Sequence, residues 1–505
     1  MNKDNFYRNS FLLTASNLTT GVLGFIFSIY LSKLLGPEGM GLYGLVMPIY
    51  NLFISLMTAG IVASISKITA VYTTKNELNN IFKTMRTVAS FNFVWAFLIG
   101  ILVFILSPSI GELWVKDVRT IKAIMVTCPA MVCIALSNIL KGFFYGTSRI
   151  KIPALIDILE KGLRIIILVV LVFMFKATTL ETLVMLAYIA ICIGEFQSLI
   201  LLYGYFKFAT KGIPRSNLNT KPKKELLKDI LITSIPLCLN GFLVSTFGTI
   251  ATLIVPQRLM LAGFQYSEAL ALIGKYSGMA LSIVTFPLII IGSLNTLLIP
   301  DLSQSVSRSD YGSASRRIKN VLKLSFIIGI CTTLLCQSIP NSLGVLFFGR
   351  DDLALYIKVA SISMPILFAA NTMFGILNGL DKPKIILKNT IITEVIEITC
   401  LFFLTAIPKI NILGFAITMG IVSILTLILN MYEVYKVINI DISLINLSIY
   451  ILAGIFAFYL FKIVVLSTSW MDYRIQSLII ALLTITLFFL LISSTRQKRI
   501  IIRKK

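Results

Sequence analysis

Charged side chains set inside apolar runs are where this chain can do chemistry. Residues 153–175 carry Glu160, Lys161 and Arg164, with Asp157 just before them, among long aliphatic stretches. Glu195 lies in a second apolar run, and Glu394 and Glu397 lie in a third. Ionisable groups in such surroundings are costly, so they persist where they pair, meet water or handle a charged ligand. At 1.5 Å per helical residue, Glu160 falls ~10 Å and Arg164 ~16 Å from a start at Pro153, close to the middle of a ~30 Å hydrocarbon layer. Glu160 and Arg164 are four residues apart, share a helix face and can pair. Two readings stand side by side. The cluster is either a locally paired helix start, or a path for a charged substrate with Glu195 as partner to Arg164 or to a coupling cation.

Other polar groups interrupt the apolar pattern. Asn17, Asn51 and Asn240 fall in helices that open each half; interhelical hydrogen bonding accounts for them, and lining a wet cavity is the functional alternative. Arg258 ends its run, where snorkelling to the outer interface suffices, whereas Lys275 lies deeper. Cationic groups of this kind suit phosphate, whose oxygens accept charge-assisted hydrogen bonds from Arg and Lys. The chain contains no histidine, which excludes His-based acid–base catalysis, HExxH zinc chemistry and His-ligated haem. Its seven cysteines all lie in apolar runs without a CxxC pair, as packing thiols do. No GxxxxGK[ST] loop occurs, and no cofactor or metal site is expected.

The elements that must position these residues are membrane helices. Of 505 residues, 57% are hydrophobic and only 13% charged, the composition of an integral membrane protein. The net charge of +23 resides largely in short loops, so it indicates cytoplasmic loops rather than nucleic acid. Breaks at charges, Pro and Gly divide the chain into fourteen spans. The first six cover about 9–35, 41–72, 87–107, 121–146, 153–175 and 181–206. Another six cover about 230–256, 268–300, 320–339, 353–380, 386–407 and 410–435, and a last pair about 443–466 and 475–494. The first apolar run is too long for a signal-peptide core and reads as a retained span. Lys and Arg crowd the termini and the loops after even-numbered spans, which places both ends in the cytoplasm.

A duplication organises these spans. Asn138, Gly142, Gly146, Arg149 and Lys151 recur as Asn371, Gly375, Gly379, Lys382 and Lys384, at the constant offset of 233 that also carries Gly41-x-Tyr43 onto Gly274-x-Tyr276. Six spans separate the copies, an even number, so the halves form a parallel repeat about an axis along the membrane normal. The expected organisation is an N-lobe at 1–206, a basic cytoplasmic linker at 207–229, a C-lobe at 230–435, and two appended helices with a basic tail at 436–505. The offset sets Lys161 and Arg164 opposite Glu394 and Glu397. Gly142, Gly146, Gly375 and Gly379 read as close-packing positions, with lobe hinges as a second role.

Several stretches resemble the multidrug/oligosaccharidyl-lipid/polysaccharide flippase superfamily, and within it the branch of stage V sporulation protein B and the polysaccharide biosynthesis proteins. They are the run from Leu35 through Gly36, Pro37, Glu38, Gly39, Met40, Gly41 and Leu42 to Tyr43, then Pro48-Ile49-Tyr50, and Gly60-Ile61 with Ser64 to Lys67. Further matches are Gly142 to Tyr145, Glu160-x3-Arg164, Val255-Pro256-x-Arg258-Leu259, Gly278 to Leu281, and Pro287. Where the family usually has small-hydroxyl and Gln residues before Glu160, this chain has Ala154-Leu155-Ile156-Asp157. The resemblance implies a bacterial cell-membrane flippase that moves a polyprenyl-diphosphate-linked saccharide, such as a peptidoglycan precursor for spore cortex, by alternating access without ATP hydrolysis. It also implies membrane lipids as partners, room for a coupling Na+ or H+, and a monomer. A cation-coupled multidrug antiporter and a membrane scaffold for cell-wall enzymes are the competing readings.

Overall fold

The computed structural model describes residues 3–58, 60–75, 77–211, 222–440, 444–468 and 470–502, with side chains in those ranges except at 3–10, 233, 444–447 and 493–502. Residues 212–221 of the expected 207–229 linker, and the side chains of the basic tail, lie outside the described set. Contacts divide the chain into two units, Met1–Ile254 and Val255–Lys505.

The first unit contains α1 Lys3–Thr58, α2 Ile61–Thr74, α3 Leu78–Ser109, α4 Ile121–Gly146, α5 Lys151–Phe175 and α6 Leu180–Ala209, and takes most of α7 Lys223–Leu261. In the second are α8 Tyr266–Ile273, α9 Leu281–Thr285, α10 Leu288–Ser307, α11 Tyr311–Ser338, α12 Pro340–Phe348 and α13 Ala354–Ser361. It continues through α14 Met364–Gly379, α15 Pro383–Leu404, α16 Gly414–Tyr435, α17 Leu444–Ser467 and α18 Tyr473–Ile502. The all-helical membrane architecture expected from the composition is therefore present.

Glycine and proline decide where the long apolar runs bend. α1 is two helices in series, because Gly36 leaves the helical region (φ 64°, ψ −175°) and Pro37 follows it. Three spans expected to be continuous are broken, and one of them, 353–380, divides into α13 and α14. The 41–72 span divides at Gly60, whose φ of 79° separates α1 from α2. The 268–300 span passes through a π-helical stretch, Gly274–Ala280, and breaks again before α10 at Pro287, which has no N–H to continue the ladder.

Ten helical segments among the described residues are long and apolar enough to cross a membrane, or eleven if the pair α13–α14, bent by 55°, counts as one. One of the ten, Phe11–Thr74, runs for 64 residues, far beyond a single crossing, and the Gly36 break lets it supply two. α5 and α15, of 25 and 22 residues, are long enough to span but carry the intramembrane charges that dilute their apolarity. The set is consistent with fourteen spans.

Each unit repeats the same neighbour relations. α4 packs against α2, α3 and α6, and α5 against α6; in the second unit α14 packs against α10, α11 and α16, and α15 against α16. α17 and α18 lie against α11 and have no counterpart in the first unit. The repeated glycines permit the central contact. A Cβ on Gly142 would stand 2.9 Å from the Cβ of Ile65 on α2, and one on Gly379 would stand 2.9 Å from the Cβ of Leu302 on α10. Ile65 and Leu302 belong to matching buried clusters, one in each unit. The backbone approach that small residues allow is thus built twice.

Candidate functional site

Four helices of the first unit bring the intramembrane charges together. Arg164 on α5 donates from Nη2 to Glu160 Oε1 one turn back on the same helix, and to Glu195 Oε1 on α6 at 3.3 Å. The other Glu160 oxygen, Oε2, receives Lys161 Nζ at 3.1 Å. Beside this group Lys141 of α4 meets Asp157 of α5 at 2.7 Å. α1 contributes Phe27, whose ring centroid lies 6.0 Å from the Arg164 guanidinium carbon, along with Tyr43 and Tyr50. Ser16 anchors α1 to α5 by donating to the Ala154 carbonyl at 3.0 Å.

Why the charges survive there follows from their arithmetic. Lys141, Lys161 and Arg164 face Asp157, Glu160 and Glu195, so the set is neutral. Glu160 is 3% and Arg164 9% exposed, a depth at which an unpaired charge would be very costly. Gly194 makes the fit, since a Cβ at that position would come within 3.1 Å of Glu160 Oε1. Among the buried side-chain atoms of these helices left without a partner are the Nε of Arg164 and the hydroxyls of Thr14, Tyr50 and Ser137.

The expected residues meet different fates. Glu160, Lys161, Arg164 and Glu195 converge as one network, and both cations are satisfied within their own unit. Glu394 and Glu397 are half-buried on α15, and neither makes an ion pair within its unit among the described residues. Arg258 closes a different contact. Its Nε donates to the Phe402 carbonyl at 2.7 Å, in the last turn of α15, and its guanidinium lies 3.7 Å from the centroid of the Phe402 ring. That arrangement caps a helix C-terminus, where carbonyls lack intrahelical donors. Lys275 pairs with Asp352 at 2.8 Å, and Arg350 binds the same carboxylate at 2.8 and 2.6 Å. Asn17 and Asn51 are exposed on the first unit, and Asn240 is half-buried. Gly142, Gly375 and Gly379 are buried and Gly146 is half-buried, all at helix crossings.

Lys141 is the participant that the sequence reading missed. A lysine inside an apolar run, next to repeated Gly142, was the available signal. The triad of Glu38, Asp117 and Arg119 was also missed. Arg119 reaches Glu38 at 2.8 Å and Asp117 at 2.8 Å, tying the turn after Gly36 to the start of α4. Among the described residues no group of three or more His, Cys, Asp or Glu side chains is gathered to hold a metal ion.

A multi-pass helical protein with two matching units and a buried ion-pair network has the build of a membrane transporter. Residues 6–306 match the family described as Polysaccharide biosynthesis protein, and the chain belongs to that family. It is 24% identical over 449 residues to stage V sporulation protein B of Bacillus subtilis (strain 168), covering 88% of this chain and 86% of that protein. Over 414 residues it is 22% identical to the lipid II flippase MurJ of the same organism, covering 77% of this chain and 76% of the relative. Among solved structures, the inward closed conformation of a lipid II flippase MurJ aligns with a TM-score of 0.69 at 13% identity, covering 97% of this chain and 100% of that one. An inward-facing multidrug resistance MATE family transporter of the MOP superfamily aligns at 0.66 and 16% identity, covering 85% and 98%. These likenesses establish the MATE/MurJ-like fold.

Proposed function

We propose that this protein is an alternating-access flippase for a polyprenyl-diphosphate-linked saccharide, moving it from the cytoplasmic to the outer leaflet, with a peptidoglycan precursor of the spore cortex as the cargo. The observation that carries the reading is Arg164. It is a buried guanidinium near mid-span, held by two carboxylates and still retaining a free Nε–H. A guanidinium fork suits phosphate oxygens, and carboxylates that share it can release it and take it back. Family membership and relatives named for sporulation and for lipid II flipping point to the same cargo class. In this reading Glu160, Lys161, Arg164 and Glu195 form the N-lobe part of the path. Glu394 and Glu397 serve the C-lobe, where the absence of an ion pair to either within their unit, among the described residues, leaves room for a coupling Na+ or H+.

Reconstitution tests this directly. Proteoliposomes loaded with a fluorescent lipid-linked disaccharide diphosphate should show protein-dependent access of that lipid to a membrane-impermeant quencher. No acceleration over protein-free vesicles would refute the flippase. A cation-coupled drug antiporter is the second reading, favoured by the half-buried carboxylates Glu394 and Glu397, which make no ion pair within their unit among the described residues. It predicts cation-driven export of lipophilic cations from the same vesicles and no lipid movement.

A further inference from the structure

α2 and α7 meet at the membrane face that carries the basic 207–229 linker. Leu226 and Ile230 of α7 are buried in one cluster with Ile65 and Tyr72 of α2. Gly60, just before α2, lets the backbones approach, since a Cβ there would stand 2.5 Å from the Leu237 Cβ. Beside this contact lies a groove of about 360 Å³. Lys67, Val71 and Lys75 line it from α2 and the turn after it, and Asp229 and Ile232 line it from α7. A recess of about 530 Å³ continues along α7 through the shared Ile232, from Lys224 and Lys228 to Ile235 and Pro236 deeper in the span. Ile232 is 63% and Ile235 49% exposed, so this strip opens toward the bilayer.

The charges along it are unbalanced. Four lysines face two carboxylates, Glu77 and Asp229, a net +2. None of the four lysines has a hydrogen-bond or ion-pair partner among the described residues, whereas Glu77 already accepts from Asn80 Nδ2 at 2.8 Å. Lys67 is the telling one. It lies eight residues before Lys75, about 12 Å along the helix and inside the expected 41–72 span, where a cation without a partner is costly. The repeat does not require it. The offset of 233 sets Pro300 opposite Lys67, and the adjacent Asp301 pairs with Arg317, which closes that helix end with its own ion pair. The groove of the first unit lacks such a closure. Its complement is an anionic group at the lysine end joined to hydrocarbon along Val71, Ile232 and Ile235. A phospholipid offers both, because its phosphate oxygens accept charge-assisted hydrogen bonds from lysine and its chains continue into the bilayer.

We propose that the groove between α2 and α7 binds an anionic membrane phospholipid, with its phosphate on Lys67 and Lys75 and its acyl chains along Ile232 and Ile235. The groove shares no residue with the network around Arg164, and the proposal does not rest on the cargo.

Purified full-length protein in neutral detergent tests it, with dioleoyl phosphatidylglycerol and dioleoyl phosphatidylcholine as probes. Bound lipid is counted by native mass spectrometry, and stabilisation is read as melting temperature. Phosphatidylglycerol should bind the parent and raise its melting temperature, and phosphatidylcholine should do neither. Lys67→Met and Lys75→Met keep the stems and remove the charges. Each should weaken phosphatidylglycerol binding about fivefold, and the pair about 25-fold. Lys151→Met, at an exposed lysine that starts α5, should bind like the parent. Ile232→Trp fills the groove with both lysines in place and should also weaken binding, which answers the question if the lysine variants fail to fold. Equal loss in K151M would assign the lipid to diffuse surface charge and overturn the proposal. A parent that takes both lipids alike or neither, or I232W protein that binds like the parent, overturns it too. So does displacement of phosphatidylglycerol by equimolar inorganic phosphate or lipid-linked disaccharide diphosphate, which would make the groove a phosphate or cargo site. No readout here needs lipid movement, so failure of the flippase reading leaves this result intact.

Discussion

Arg164 of α5 and Glu195 of α6 stand 3.3 Å apart, so one guanidinium is shared between a carboxylate on its own helix and one on the neighbouring helix. The shared contact makes α5 and α6 electrostatically dependent on each other. Neutralising any one member leaves its partners with an uncompensated charge in surroundings that penalise it.

Arg164→Ala is therefore expected to abolish lipid movement, and Arg164→Lys to restore only part of it, because an ammonium cannot reproduce the planar fork. Removing one partner of a buried pair costs about 3–5 kcal/mol, so folded yield has to be scored beside transport. The Glu160→Gln, Arg164→Met double variant decides between roles. Recovery of folding without transport keeps the pair in the mechanism, and recovery of both at the native rate makes it purely structural.

The glycine crossings predict graded stability effects. A Cβ on Gly146 would meet the Ser66 carbonyl oxygen at 2.6 Å and the Thr69 Cβ at 2.7 Å. Gly146→Ala should therefore destabilise by about 1–3 kcal/mol, the usual cost of overpacking. Gly379→Ala, with Leu302 Cβ at 2.9 Å, should behave alike in the second unit. Gly162→Ala on α5, where nothing lies within 4 Å, should be neutral or slightly stabilising. Melting temperatures of the three purified variants measure the contrast, and equal effects would contradict the packing.

How much of this was readable in advance depended on the range of the interaction. The Glu160–Arg164 pair is an i,i+4 relation on one helix, and spacing alone reveals it. The Gly142 and Gly146 crossing was legible because the repeat showed it twice. By contrast, Lys141–Asp157 and Arg119–Glu38 join helices whose rotation about their axes the sequence does not specify. Lys275 looked deep when counted from a span start near 268, but its long stem carries the ammonium out to Asp352. Breaks at Gly60 and Pro287 fell inside runs whose hydropathy never drops, so apolarity concealed them.

Orientation has its own test. Both termini are expected in the cytoplasm, with the 111–119 and 344–352 loops outside. Single cysteines placed in those loops, in a background lacking the seven native cysteines, should react with an impermeant maleimide added to intact cells. Protection of both loops would invert the assignment.

The last prediction concerns acid. In the loop between α12 and α13, the Asp352 carboxyl is held down to about 2 from its usual 3.8, first by the hydrogen bond from Arg350 and then by Lys275, against an opposing push from burial. A depressed folded-state value means that the unfolded chain binds the proton more readily. The stabilisation is thus complete above about pH 4 and is lost as pH falls through about 2. With the side chain 34% exposed, screening keeps the effect to about 1 kcal/mol or less. Asp352→Asn should lower the melting temperature of the purified protein by a few degrees at pH 7, since a ΔΔG of ~1 kcal/mol shifts large domains by about 2–4 °C or less. Between pH 4 and 2 the gap between parent and variant should close, because protonation of the parent reproduces what the substitution has already done. Lys275→Met should show a smaller gap with the same sign, as Arg350 alone still holds the carboxylate. A gap that stays constant down to pH 2 would show that the loop is stabilised by something other than these two cations on one carboxylate.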